Sequence, residues 1–188
     1  MSMRDSDRRQ SLLDSIETMV HDGADAGDII EAAADGLRRE THLDQVFVMV
    51  RENGDAALRI RYASLGTYER EQIRESMSMD LHSVVIPLDD EPMLADFFLY
   101  GKLAELKGIS QVAELARAIA PHERIGNLAA DAVRSQGIGY ACVAPIATDG
   151  TLLGVVIASS YGRKPLTEDD TLLVAAVGTL LAATLHRE

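Results

Sequence analysis

Residues 141–162, ACVAPIATDGTLLGVVIASSYG, form two apolar runs that meet at Asp149-Gly150 and contain no other charge. An Asp-Gly pair accepts the positive φ angles of a two-residue turn, so the stretch predicts a β-hairpin. A strand with one face in water alternates apolar and polar residues, whereas these runs are apolar on both faces. The hairpin is therefore predicted to lie at the centre of a sheet whose two faces are both covered.

The last predicted helix has the same apolar character. The segment PLTEDD supplies an N-cap at Thr167 with Asp170 three residues later, which is the pattern of a capping box. Residues 172–185 then read LLVAAVGTLLAATL, apolar on nearly every side and too short to span a membrane. Such a helix needs cover on two sides. The sheet supplies one side, and either the first helix or a partner chain supplies the other.

Two helices are predicted before the sheet. The spacing of apolar residues indicates a helix over residues 12–20 that ends near Gly23, and a second helix that follows Gly27 or Asp28. The polar start MSMRDSDRRQ predicts a flexible arm over residues 1–10, so that residues 11–188 form a single domain. A chain of 188 residues is long enough to bury a sizeable core.

A first hairpin is predicted where two β-rich runs meet at Asn53-Gly54. Its first run, Val46–Val50, is apolar throughout and is therefore predicted to be central. In the second run, apolar side chains alternate with two arginines, so that one face is expected to meet water. The apolar set expected on the other face is Leu58, Ile60 and Tyr62.

A long segment, residues 89–136, separates the apolar hairpin from a third predicted strand, LHSVVIPL, which Pro87 ends. The segment predicts a helix over DDEPMLADFFLYGK, a short extended piece at LAELKGI, and two further helical stretches that Pro121 divides. A long insertion between strands commonly covers one face of the sheet, and binding sites are frequent in such cover.

The end of the chain resembles the closing pattern of the GAF domain family, the small-molecule sensing modules of signalling proteins. The similar residues are GIGYACVAPIATDGTLLGVVIASS and KPLTEDDTLLVAAVGTLLAATL. Upstream, IPLDDEPMLADFFLYGKLAEL resembles the helix and short strand that cross the pocket mouth in that family. The order of elements matches over nearly the whole chain.

The resemblance implies an α+β fold with a GAF/PAS-like central antiparallel sheet of about six strands. The N- and C-terminal helices would pack on one face of the sheet, and the helical and loop cover would lie on the other. A ligand cavity would then lie between the sheet and residues 89–136. In the family the last helix often packs against the same helix of a partner chain.

The candidate ligand-binding residues come from the predicted cover and the fifth strand. Phe97 and Tyr100 share one helix face, and together with Tyr140 they are expected to form an aromatic wall with polar tips. Asn127 lies inside an apolar helical run, where it either turns a hydrogen bond into the cavity or faces water. His122 follows Pro121 in the cover. Simple core packing is the alternative for the aromatic residues.

The cofactor is unknown at this level. The resemblance implies ligands as different as cyclic nucleotides, bilins, haem and amino acids, or none. The Asn-Lys-Phe-Asp-Glu set of the cyclic-nucleotide subfamily has no ordered match, and no Cys-His pair for bilin attachment is present. Cys142 lies within a strand, which predicts a buried, inert thiol. His122 or His82 leaves haem ligation open as an alternative. No histidine or cysteine cluster has metal spacing, so no metal site is predicted.

Charge and motifs exclude other classes of function. The formal charge is −12, from 30 acidic and 18 basic residues, and the basic residues are dispersed, which excludes nucleic-acid binding. The chain has one cysteine, no apolar signal segment and no membrane span, so a cytoplasmic protein is expected. It contains no P-loop and no Gly-x-Ser-x-Gly motif. The carboxylates of Asp89, Asp90 and Glu91 are interpreted as a helix start.

The sequence therefore predicts a cytoplasmic GAF-like sensory domain without catalytic activity. It would form a homodimer through its first and last helices, and a small molecule in the cavity would alter their packing by differential contacts. The output would be a further domain or a partner protein. Two alternatives stay open: a structural dimerisation module without a ligand, and a small enzyme that uses the same cavity, acting through Asp89–Glu91.

Overall fold

The centre of the structure is an antiparallel sheet. The computed structural model describes residues 3–41, 43–51, 57–66, 70–71, 84–87, 103–120, 123–162 and 164–186. Within these ranges six strands pair in the order β3-β2-β1-β6-β5-β4. They are β1 (Gln45–Arg51), β2 (Ala57–Ser64), β3 (Val85–Pro87), β4 (Ala104–Lys107), β5 (Ile138–Thr148) and β6 (Thr151–Tyr161).

The helices cover both faces of this sheet. They are α1 (Met3–His21), α2 (Ala26–Glu40), α3 (Ile109–Ala118), α4 (Glu123–Gln136) and α5 (Glu168–Leu185). Helices α1, α2 and α5 pack on one face around the helix-face core, which includes Ile16, Ile30, Leu37, Val156 and Leu181. Helices α3 and α4 pack on the opposite face around the cavity-face core, which includes Leu58, Ile86, Leu115, Ala130 and Val155. The predicted α+β architecture is confirmed.

The apolar hairpin is covered on both faces, as its composition requires. In β5 the side chains of Cys142 and Ala144 belong to the helix-face core, whereas that of Val143 belongs to the cavity-face core. The turn residues Asp149 and Gly150 have φ angles of 49° and 76°, the two positive values of a type I′ turn. Strand β6 lies between β1 and β5, and β5 lies between β6 and β4, so both strands are interior.

Strand β2 departs from the predicted alternation. Its pairing with β1 shifts at Arg61, which is the extra residue of a β-bulge. As a result Leu58 and Ile60 belong to the cavity-face core, whereas Tyr62 packs against the helix-face core. There the Tyr62 hydroxyl donates a 3.1 Å hydrogen bond to Asp35 of α2. The prediction that these three apolar residues share one face was wrong, because one extra residue reverses every side chain that follows it.

The beginning of the chain also differs from the prediction. Helix α1 begins at Met3, so residues 3–10, predicted to be a flexible arm, are helical. Arg9 ties this first part of α1 to α5, because its Nη2 donates a 2.7 Å hydrogen bond to Oδ1 of Asp170. The polar composition of the segment did not reveal this contact. Helix α2 begins at Ala26, just before the predicted start, with Asp25 as its N-cap.

The capping box predicted for α5 is confirmed. Oδ2 of Asp170 accepts hydrogen bonds from the backbone N of Thr167 at 3.0 Å and from its Oγ1 at 2.7 Å. The backbone N of Asp170 donates in turn to Oγ1 of Thr167 at 3.2 Å. The Asp170 carboxylate is fully buried. It therefore serves the helix start and the Arg9 guanidinium at the same time.

Helix α5 receives most of its cover from its own chain. It packs on β5 and β6 and contacts both α1 and α2. Leu181 and Val177 are fully buried, whereas Leu172 is 57% exposed, and Thr179 and Ala183 are exposed further along the helix. The first helix thus supplies part of the second covering surface that the sequence requires, and a stripe of α5 is left uncovered.

Candidate ligand-binding cavity

A cavity of about 150 Å³ lies between the sheet and helices α3 and α4. Strand alternation explains its sheet-side wall: Phe47 and Met49 of β1 point into it, whereas the neighbouring Val46 and Val48 belong to the helix-face core. Among the described residues the sheet-side wall is Phe47, Met49, Ile60, Val84, Ile86 and Ile138.

The opposite wall comes from the end of α3, from the residues after it, and from one face of α4. The α4 residues that line the cavity recur every three or four positions, the spacing of one helical face. Two of them, Ala129 and Ala132, have small side chains that leave space between the helix and the sheet. The described helix-side wall is Ala116, Ile119, Ala120, Ile125, Ala129, Ala132 and Val133.

Two glutamines, Gln45 of β1 and Gln136 of α4, supply the polar part of this wall. Gln45 is 5% exposed. Its Nε2 donates to Oε1 of Gln136 at 3.2 Å, and its Oε1 accepts from Oγ of Ser159 at 3.4 Å. Neither glutamine was predicted from the sequence as a lining residue. The available signal was a polar residue, Gln45, directly before the apolar run Val46–Val50.

The described wall of the cavity is almost entirely apolar. It contains no acid, base or nucleophile, and no residue that carries a charge. In the part of the chain that the structure describes, no three histidine, cysteine, aspartate or glutamate side chains come together as a metal site.

The predicted ligand-binding residues fall in different places. Phe97, Tyr100 and His122 lie outside the described residues, as do His82 and the Asp89–Glu91 cluster. Asn127 is an exposed residue of α4 and is not part of the described wall. It follows the wall residue Ile125 by two positions, which turns its side chain about 200° round the helix.

Tyr140 is half-buried in β5 and is also absent from the described wall. The next residue, Ala141, belongs to the cavity-face core, and Cys142 belongs to the helix-face core. Because neighbouring residues of a strand point to opposite faces, Tyr140 lies on the same face as Cys142. The structure therefore brings neither Asn127 nor Tyr140 to this cavity.

Cys142 is a buried free thiol, as predicted. Burial, with a smaller contribution from the Glu105 carboxylate, raises the pKa of the Cys142 thiol to about 12. The thiol therefore stays protonated at neutral pH, and the thiolate that reacts with electrophiles is not formed.

We expect native protein at pH 8 to resist alkylation by iodoacetamide for hours, because both burial and the raised pKa of Cys142 suppress the reactive thiolate. Intact-mass spectrometry should show one adduct within minutes once the protein is unfolded in guanidinium chloride, since the chain has a single cysteine. Rapid labelling of the folded protein would contradict this account.

A GAF domain family model matches residues 25–185 of the chain. Among curated proteins there is no match. None of the helices in the described ranges combines the length and apolarity that crossing a bilayer requires.

Solved structures share the fold at low sequence identity. The GAF domain of an Acinetobacter phosphoenolpyruvate-protein phosphotransferase is 9% identical with a TM-score of 0.70, and the match covers 100% of this chain and 95% of that one. A phycocyanobilin-bound GAF domain from a cyanobacterial phytochrome is 16% identical with a TM-score of 0.67, covering 95% and 94%. A fragment of a methyl-accepting chemotaxis protein is 16% identical with a TM-score of 0.64, covering 92% and 95%.

Proposed function

Because this chain belongs to the GAF domain family, we propose that it is a cytoplasmic sensory domain that binds a small molecule in the cavity beneath α3 and α4. The observation that carries the proposal is the cavity itself: an apolar space that α3 and α4 cover and that the buried Gln45 and the half-buried Gln136 also line. Its described wall holds no catalytic group, so the proposed role is regulatory and not enzymatic. The output belongs to a further domain or to a partner protein.

The sheet offers a direct mechanical route from the cavity to the terminal helices. Strand β1 lines the cavity with Phe47 and Met49 and packs against the helix-face core with Val46 and Val48. Protein interiors are close-packed, so a ligand that displaces one face of β1 also shifts the side chains on its other face. A signal results if the ligand contacts one arrangement of the helices better than another.

The proposed receiver of this signal is a homodimer formed through α1 and α5. These helices leave a groove between them, which Glu17, His21, Leu180 and Ala183 help to line. The exposed Leu172 lies about two turns before Leu180 on α5 and begins the uncovered stripe of this helix. Burial of this stripe against a second copy would remove the remaining apolar surface of the helix from water.

Native mass spectrometry tests the proposed ligand and the proposed homodimer in one measurement. We expect a species at twice the 20.4 kDa chain mass, together with an increment from a bound small molecule. The Leu172→Glu variant should shift the protein to 20.4 kDa, because it places a charge in the proposed interface. Leu128→Glu is the matched control, since Leu128 is 41% exposed on α4, away from α1 and α5.

A monomeric wild-type protein, or equal effects of the two glutamate substitutions, would contradict the proposed dimer. A visible spectrum recorded on the same sample identifies the ligand class if the bound species absorbs, because haem gives a Soret band. A cavity that never yields or accepts a small molecule would favour the structural dimerisation module instead.

A further inference from the structure

The size of the cavity limits the ligand. Its volume is about 150 Å³, whereas pockets for drug-sized ligands run from about 300 to 1,000 Å³. An engineered apolar cavity of about 150 Å³ in another protein stays dry and binds benzene. A molecule of one ring and a few further atoms is therefore the size that this cavity accepts.

The walls limit the charge of the ligand. No described lining residue is charged, and the space is bounded mainly by isoleucine, alanine and valine side chains. Transfer of an ionised group from water into such surroundings is strongly unfavourable unless a partner charge or a set of hydrogen bonds compensates it. The described wall contains no partner charge and therefore favours an uncharged ligand.

One polar group in the wall is only partly satisfied. The Gln45 amide offers two N–H donors and two acceptor lone pairs. Its bonds to Gln136 and Ser159 use one donor and one lone pair, so one of each is left without a partner among the described residues. Gln45 is 5% exposed, and polar groups buried to this degree are normally hydrogen-bonded. Both polar atoms of the Gln45 amide thus have one partner each, and the remaining N–H and lone pair are the hydrogen-bonding capacity that a ligand in the cavity can use.

Taking the proposed sensory function as its basis, we infer that the ligand is a small, uncharged, ring-sized molecule, apolar except for one hydrogen-bonding group that meets the Gln45 amide. A carbonyl accepts the remaining N–H of Gln45, and a hydroxyl can also donate to its remaining lone pair. Ser159 holds the orientation of the Gln45 amide and thereby presents the N–H to the cavity.

Three probes of nearly equal shape test separately whether the ligand needs a hydrogen-bonding group and whether it can carry a charge. Acetophenone carries a carbonyl, ethylbenzene carries no polar group, and benzoate carries a charge at pH 8. Binding is measured by the shifts of 13C-labelled isoleucine methyl groups in the full chain. The reporters in the cavity wall are Ile60, Ile86, Ile119, Ile125 and Ile138. The isoleucines of the helix-face core, which report separately whether binding is transmitted across the sheet, are Ile16, Ile29, Ile30 and Ile146.

We expect acetophenone to shift the wall methyls directly and to bind about fivefold more tightly than ethylbenzene, the effect of one net hydrogen bond. Benzoate should bind at least about 100-fold more weakly than acetophenone. In the Gln45→Met variant, which replaces the amide with an apolar chain of similar length, the preference for acetophenone should fall to about one.

The outcomes distinguish this inference from the proposed function. Ala129→Phe fills the cavity and should abolish binding of every probe, whereas Leu128→Phe, on the exposed side of the same helix, should not. If benzoate binds as well as acetophenone and Ala129→Phe abolishes both, the sensory cavity stands and the uncharged ligand class is overturned. If no probe shifts the wall methyls of the wild-type protein, both proposals fail. An unchanged preference in Gln45→Met overturns the role of Gln45.

Discussion

Replacement of Asp170 by alanine is expected to lower the free energy of unfolding by about 3 to 5 kcal/mol. Asp170 is fully buried, and it accepts hydrogen bonds from Arg9 as well as from Thr167. Nε and Nη1 of Arg9 are themselves buried without hydrogen-bond partners. Removal of the carboxylate would therefore strand a buried cation and also remove half of the α5 capping box.

Two neighbours provide matched controls for Asp170→Ala. Asp169 lies 3.8 Å from Arg9, but its side chain is 46% exposed, so Asp169→Ala should cost less than about 1 kcal/mol. Thr167→Ala removes the two Oγ1 contacts of the capping box but leaves the Arg9–Asp170 pair, and should cost about 1 kcal/mol. Urea denaturation of the three variants, followed by circular dichroism, gives the ranking.

A double variant tests why Asp170→Ala lowers the free energy of unfolding. The double variant Arg9→Met, Asp170→Ala removes both buried charges, and it should be more stable than Asp170→Ala alone. If Asp170→Ala is no more destabilising than Asp169→Ala, the buried pair does not hold α1 against the start of α5.

Replacement of Gly178 by valine should lower the unfolding free energy by about 3 kcal/mol, or the melting temperature by about 6 to 12 °C. At Gly178 the backbone of α5 lies close to β5: a Cβ atom there would lie 2.8 Å from the carbonyl oxygen of Pro145. Valine has a higher helix propensity than glycine, but by well under about 1 kcal/mol, and that gain is smaller than the cost of moving a packed helix away from the sheet.

Thr179→Val is the matched control for Gly178→Val, because Thr179 is exposed on the next position of α5. It places the same side chain on the same helix without a backbone neighbour, and should change the melting temperature by less than about 2 °C. Differential scanning calorimetry measures both. Equal melting temperatures would mean that the distance between α5 and the sheet is not set at Gly178.

The candidate site was less predictable than the fold. The sequence predicted a cavity between the sheet and residues 89–136, because a long insertion between strands commonly covers one face of the sheet. The structure has a cavity there, lined on the helix side by residues between 116 and 136. The sequence did not identify the lining residues in the described wall. Asn127 lies on the side of α4 that faces away from that wall, and Tyr140 lies on the opposite face of β5. Gln45 and Gln136 meet across 91 positions of sequence, and such a contact leaves no local pattern.

The sequence by itself determined the elements whose cause is local. The positive φ angles at Asp149-Gly150, the capping box at Thr167 and the apolar faces of β5, β6 and α5 all follow from residues close together in the chain. Only the tertiary structure decided the β-bulge at Arg61, the pairing of Arg9 with Asp170 and the wall of the cavity. These features depend on which distant segments meet, and the free energy that selects them comes from packing and desolvation rather than from local conformational preference.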